Sequence, residues 1–399
     1  MSLNPLPTAA SAVCQSDSIV AAVTEAFETA ASRVTQPVSL VIVFFSCPEA
    51  CTMSEVLAEK LAKLAPEATV IGCSAESVLG VRTEIEHQIA ASVIVIAGLQ
   101  AAPKPFNVEY QPTADGPSLF GLPDALLEES IPGSGLLLLA DPFSFPIDLM
   151  TDRIAQESPG LPILGGYASG TAGPYECGLI MNDEGSLLGA VGLLLPPEIQ
   201  IQPLVSQGCR PIGSPMTVTK VDEGTILELS GKPALPQLRS LYEESSTSDQ
   251  ELMLKSLLIG LAVYDVDGKQ MPHDFLVRQC LGVDDDVDGV VLPEPARVGQ
   301  SVQFHVRDSE TAHADLQVAC KRVESSYGQP LATLLFTCNG RGSRMFSEPH
   351  HDANVLDHYF PNAPLAGFFA AGEFGPVGSK SFAHGFTATA AVLYVAKPE

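Results

Sequence analysis

Short uninterrupted apolar runs alternate along the chain with segments whose apolar residues fall three and four apart, the spacings of buried strands and amphipathic helices. The same order of elements is predicted three times. The first set is a helix over Asp17–Val34 with Asp17 as N-cap, a strand over Val38–Phe45, a helix over Met53–Leu64, and strands over Thr69–Cys73 and Ile89–Ile96. The second opens near Asp124, with a strand over Leu136–Ala140, a helix over Ile147–Glu157 and a strand over Pro162–Tyr167. The third has a helix over Ser309–Ser325, a strand over Leu331–Phe336, a short helix over Asp352–Phe360, and strands over Leu365–Ala370 and Phe386–Val395. A helix between two apolar strands implies a crossover and parallel pairing.

Elsewhere the pattern reads as antiparallel. Cys177–Met181 and Leu187–Leu195 flank the turn Asn182-Asp183-Glu184-Gly185. Ala101–Asp124, rich in Pro and Gly, reads as a long connection, and Ser245–Ser248 as a surface break before a helix over Gln250–Leu258. Pro196-Pro197 and the Pro-containing stretch to Pro215 mark a crossing between halves. The expected fold is α/β to α+β: two domains, 1–200 and 201–399, of mixed sheets with crossover helices packed on them and internally repeated β-α-β units.

Composition sharpens this picture. A chain of 399 residues, 46% hydrophobic and 17% charged, is well-packed globular protein and too long for one ordinary core. A net charge of −26 argues against nucleic acid or an anionic membrane as partner. The N-terminal segment lacks a basic n-region and an apolar h-region, so no signal peptide is expected, and no apolar run is long enough to span a membrane. The nine cysteines are odd in number and scattered through apolar runs, which suits reduced thiols in the cytoplasm.

The chemistry concentrates near the C-terminus. Thr337-Cys338-Asn339-Gly340-Arg341-Gly342 follows a strand-like run, and an Arg held in a glycine loop is an anion-recognition device, because the glycines admit backbone N–H groups to a ligand while the guanidinium grips a carboxylate or phosphate. The same residues also read as a tight turn with a surface Arg. Gly372-Glu373 offers a carboxylate for an ammonium group or, equally, an internal partner for Arg341, and His384 a hydrogen-bonding ring, an axial haem ligand or a turn cap. Cys338 is the most interesting thiol, since Arg341 stands close in sequence, although thiols at strand ends are commonly structural.

Other motifs fail on spacing. Asp284–Gly289 begins like a calcium loop, but Pro295 stands where the closing Glu belongs, so the segment reads as an acidic hairpin. In Gly375–Ser381 the lysine does not follow a glycine, which rejects a phosphate loop. Cys47/Cys51 and His350/His351 lack zinc-ligand spacing, and no catalytic triad can be singled out.

Cys338–Gly342, Gly367–Pro376 and His384–Ala388 together closely resemble the C-terminal domain of FIST proteins. Ser206–Gly213 and Glu228–Leu235 resemble that domain's opening, while Val41–Ser46, Val70–Ala75 and Ile163–Gly166 resemble the FIST N-terminal domain. The resemblance implies a cytoplasmic sensory module for small ligands, amino acids being the usual suggestion. Because ligands of α/β sheets sit beyond the carboxyl ends of strands, the expected ligand site is Cys338, Asn339, Gly340, Arg341, Gly342, Gly372, Glu373 and His384, with Arg341 on a carboxylate and Glu373 on an ammonium. The resemblance spans nearly the whole chain and leaves no F-box, kinase or cyclase segment within it, so a separate signalling partner is expected. No cofactor is predicted. The alternatives are an adaptor resembling the FIST part of F-box ubiquitin-ligase subunits, a haem-based nitric-oxide sensor, and an enzyme using Cys338 or His384.

Overall fold

The computed structural model describes residues 6–114, 116–126, 134–264 and 268–396; the start of the N-terminal segment read above for a leader lies outside them. The chain divides into two compact units, one comprising residues through Ser206 with Leu316–Ala383 and Thr387 onward, the other Gln207–Asp315 with His384–Phe386. Among the described residues no helix is long and apolar enough to cross a membrane.

The first unit is built on three sheets. One runs Thr8–Gln15, Ala90–Ala97, Val38–Ser46, Thr69–Ser74, Leu179–Met181, Glu184–Ser186 in spatial order. The second centres on Leu136–Ala140, between Ile163–Tyr167 and Ala190–Leu194, and the third on Ala332–Cys338, between Thr387–Val395 and Leu365–Ala370. All three expected crossovers are parallel: Val38–Ser46 with Thr69–Ser74, Leu136–Ala140 with Ile163–Tyr167, and Ala332–Cys338 with Leu365–Ala370. The sheets are therefore mixed, and the repeated β-α-β units are real features of the fold.

Burial on both faces explains why these strands are continuous apolar runs and not alternating ones. In Val38–Ser46, Leu40, Ile42 and Phe44 enter a core shared by the three sheets, where Phe44 meets Phe368 at 4.9 Å and Phe336 at 6.2 Å between ring centres. The intervening Val41, Val43 and Phe45 pack under helices Ile19–Ala31 and Ala50–Leu64. Leu137 and Leu139 likewise face the shared core, while Leu136 and Leu138 lie under helix Ile147–Glu157. Leu334 and Phe336 face it too, with Leu335 turned toward helix His351–Tyr359.

Three local expectations are corrected. Ala101–Asp124 is not a bare connection: Lys104–Thr113 pairs with Ala190–Leu194 on one side and with Gly116–Phe120 on the other. Its prolines are tolerated because each half of the segment is paired on one side only, residues 104–108 with the first neighbour and 109–113 with the second. The turn at Asn182-Asp183 is real, but its return strand is Glu184–Ser186, and Ala190–Leu194 leaves for the second sheet. The first helix is N-capped at Ser18, not Asp17.

The second unit is an antiparallel sheet whose spine is Gln270–Gln279, Leu257–Tyr264, Ser301–Arg307, Cys209–Asp222 and Thr225–Leu229. Helices Ala234–Glu244 and Thr247–Lys255 cover it through Leu235, Leu238 and Met253. The second helix starts earlier than expected, because Ser246 accepts the Asp249 N–H as N-cap, and it stops at Lys255, since Leu257 opens a strand. Asp284–Gly289 is the expected acidic hairpin.

Candidate functional site

Strand Ala332–Cys338 delivers the glycine loop at its C-terminal end, beside the end of its parallel neighbour, where Cys338 stands opposite Ala370. The chain then turns through Ala371-Gly372 into Glu373–Val377, which pairs with Ile163–Tyr167, placing Glu373 opposite Gly166. The loop Cys338–Gly342 and the turn Gly372-Glu373 thus lie side by side in the first unit. His384 is buried and belongs to the short His384–Phe386 segment of the second unit, where Phe386 lies under the Arg307 guanidinium at 5.1 Å.

Arg341 is not a surface side chain: it is fully buried. Its Nε donates to Asp352 Oδ2 at 2.7 Å and Nη2 to Oδ1 at 2.8 Å, so Asp352 takes the bidentate grip that the sequence reserves for a ligand or for Glu373. Burial alone would lower the Arg341 pKa, but the Asp352 charge and hydrogen bonds outweigh it and keep the guanidinium charged. Burial would likewise raise Asp352; Arg341, and then His351 at 2.8 Å, hold it well below the usual carboxylate range. The Thr337 hydroxyl donates to Asp352 Oδ2 at 2.6 Å. Phe346 lies 5.2 Å from the guanidinium and stacks on His351 at 3.5 Å, closing the other side. One guanidinium nitrogen, Nη1, has no hydrogen-bond partner in the protein.

Glu373 is also fully buried. Its Oε2 accepts the Thr387 backbone N–H at 3.1 Å and the Thr387 hydroxyl at 2.6 Å, while Oε1 accepts no N–H or O–H. Burial pushes its pKa up to about 8, against the opposing help of Thr387, a hydrogen bond with the Cys338 thiol and the charge of Arg341. Cys338 in turn accepts the Gly340 N–H at 3.5 Å.

The loop is fixed from outside. The Asn339 amide, oriented with its nitrogen toward the Phe369 carbonyl (2.8 Å) and Glu76 Oε2 (3.3 Å), ties it to the next strand. Arg344 pairs with both Glu76 oxygens at 2.7 and 2.8 Å and donates to the Asn339 carbonyl. Gly342 has φ +58°, and a Cβ there would stand 2.7 Å from the Phe369 ring and 2.8 Å from Glu86 Oε1, so glycine is the residue that fits without displacing either side chain. Glu86 accepts the Ser343 N–H and hydroxyl, closing the turn. Gly372 accepts the Tyr167 N–H at 2.8 Å through its carbonyl.

The sequence reading missed Asp352, Thr337, Thr387 and Glu84. Glu84 is a second buried carboxyl, raised to about 8 first by burial and then by the Asp352 charge, and it accepts the Ala353 N–H at 3.0 Å at the start of helix His351–Tyr359. The available signal for Asp352 was its place in the first turn of a predicted helix beside two histidines, where an acid reads as a favourable end charge. No grouping of three or more His, Cys, Asp or Glu able to hold a metal occurs among the described residues. The arrangement presents one buried cationic N–H group and one buried carboxyl oxygen, each held rigidly and each with hydrogen-bonding capacity left over.

Comparison with known proteins identifies the family. Residues 39–232 match the FIST N domain and residues 234–376 the FIST C domain. The chain is 37% identical over 340 residues to an uncharacterized protein of Mycobacterium tuberculosis (strain ATCC 25618 / H37Rv), covering 85% of this chain and 87% of that one. It is 35% identical over 356 residues to an uncharacterized protein of Mycobacterium bovis (strain ATCC BAA-935 / AF2122/97), covering 89% and 90%. The chain therefore belongs to the FIST family of small-ligand sensory domains.

Proposed function

We propose that this protein is a cytoplasmic sensor of an amino acid or similar small carboxylate, held at Cys338–Gly342 and Gly372-Glu373, and that it acts through a separate signalling partner. The observation that carries this reading is the pair of orphaned atoms: Arg341 Nη1 and Glu373 Oε1 are both buried and both lack a hydrogen-bond partner in the protein. Leaving buried polar groups under-bonded costs stability, and each such group calls for a partner from outside the chain, such as a water, an ion or a ligand. Their position also fits, since ligands of parallel sheets sit beyond the carboxyl ends of the strands. Asp352 already takes two donors of Arg341, so the ligand carboxylate meets Nη1 alone, and Glu373 Oε1 meets the ammonium.

Isothermal titration of the purified chain with the standard amino acids and small carboxylic acids tests this. One compound should bind, and Glu373→Gln should weaken it at least about tenfold, the scale of a lost charged hydrogen bond. No binder in the set, or a binder indifferent to Glu373→Gln, overturns the assignment.

A further inference from the structure

The second unit carries a hollow of about 250 Å³ between helices Ala234–Glu244 and Thr247–Lys255. Leu235, Leu238 and Met253 form its buried floor, Tyr242 and Leu257 its walls, and Leu254 stands at its lip with 76% of its surface exposed. A single exposed leucine is ordinary at a protein surface, but Leu254 adjoins the apolar floor and so extends one continuous apolar face.

The charges on the two helices indicate what that is. Arg239 is engaged by Asp285 and Asp249 by Arg210, so neither is available to a partner. Glu243, which lines the hollow, and Glu244 and Glu251 on the same helices make no ion pair with described residues; Lys255 is the cation left on the two helices. An apolar slot with one glutamate outside any ion pair in its lining, and two more exposed on the helices that form it, fits an apolar segment flanked by basic residues. A second copy would bring the same glutamates, from a chain of net charge −26, against these.

We propose that this hollow docks the signalling partner through a short amphipathic helix, with aliphatic anchors one turn apart seated between the two helices and Lys or Arg side chains meeting Glu243, Glu244 and Glu251. The proposal rests on the reading that the chain signals through a separate protein, and supplies the face for it.

The probe is a fluorescent synthetic helix with leucines at i, i+3, i+4 and i+7 and lysines elsewhere, titrated into the full chain alongside a scrambled peptide of equal composition. Saturable binding of the patterned peptide is expected, with amide shifts at Leu238, Tyr242 and Leu254. Leu254→Ser should weaken it about tenfold or more, as loss of a central anchor does, and so should Glu243→Gln with Glu251→Gln. Leu254 is exposed, so these variants keep the fold, which circular dichroism checks. Equal binding of the scrambled peptide, or of Leu254→Ser, reduces the effect to general charge attraction and overturns the proposal. Self-association abolished by Leu254→Ser assigns the hollow to a second copy and overturns it equally. Titrating the small ligand into Leu254→Ser separates the two readings: its affinity stays unchanged if both sites are as described, and its failure in the wild type strikes only the ligand reading.

Discussion

Arg341 and Asp352 are joined by two hydrogen bonds of 2.7 and 2.8 Å, and neither side chain reaches solvent. A buried pair of this kind is strongly coupled, because removing one partner leaves the other charge uncompensated in a low-dielectric interior. Asp352→Asn is therefore expected to cost about 3–5 kcal/mol of folding stability. The double variant Arg341→Met with Asp352→Leu should be less destabilised than Asp352→Asn, since no buried charge remains. Urea unfolding of the three proteins decides this; equal losses in the single and double variants would show that packing, not charge, holds the loop.

Glu373 and Glu84 make folding stability depend on pH. Both are raised from an ordinary value of 4.5 to about 8 by burial. Between those values each is protonated in the folded state and ionised in the unfolded one, so the folded state holds more protons and loses stability as pH rises. Their contribution is complete below about pH 4.5 and gone above about pH 8, with a limiting slope of about 1.4 kcal/mol per pH unit for each group. Other charges also titrate, so the informative quantity is the difference between wild type and Glu373→Gln. That difference should change steadily across the window and level off beyond it; a constant difference from mildly acidic to mildly alkaline pH would contradict the burial argument.

The elements read most accurately from the sequence are those buried on both faces. The strands Leu136–Ala140 and Leu365–Ala370 are placed to the residue, because a run of aliphatic side chains bounded by turns admits few alternatives, and the amphipathic helix Ile147–Glu157 is placed as well. Lys104–Thr113 escaped because only Phe106 and Val108 of its side chains are buried, and three prolines at positions 105, 112 and 117 mimic a loop. Within the candidate site, Gly342 and Arg341 were legible from loop chemistry. Asp352 was not: its bond to Arg341 is made by a helix folding back over the loop, and an acid in the first turn of a helix already has a sufficient local explanation.

Backbone geometry next to the site gives a sharper mutational contrast. Gly165 has φ +144°, and a Cβ there would lie 1.9 Å from the Leu138 carbonyl oxygen, whereas at Gly160, with φ +85°, a Cβ would meet nothing within 4 Å. Gly160→Ala should cost about 1 kcal/mol for its backbone conformation alone. Gly165→Ala must also push apart the parallel strands Leu136–Ala140 and Ile163–Tyr167, and should cost about 2–3 kcal/mol. Since Gly166 pairs with Glu373, the second variant should also disturb the site, visible as altered alkylation of Cys338 by mass spectrometry. Equal stability of the two variants would mean that the strand pair yields easily.

Ligand binding itself should move protons. At neutral pH the buried Glu373 carboxyl is mostly protonated, being held near 8. An amino acid bringing its ammonium group to Oε1 favours the carboxylate, so the proton must leave as the ligand enters, and close to one proton per site should be released near neutrality. Above the folded pKa the carboxyl is already ionised and the release should vanish. Calorimetry in two buffers of different ionisation heat, phosphate and Tris, measures this directly from the difference in observed enthalpy. A buffer-independent heat at neutral pH would show that no positive group of the ligand approaches Glu373; the carboxyl would then donate its proton in a hydrogen bond to a ligand held by its own carboxylate, alongside Arg341 Nη1.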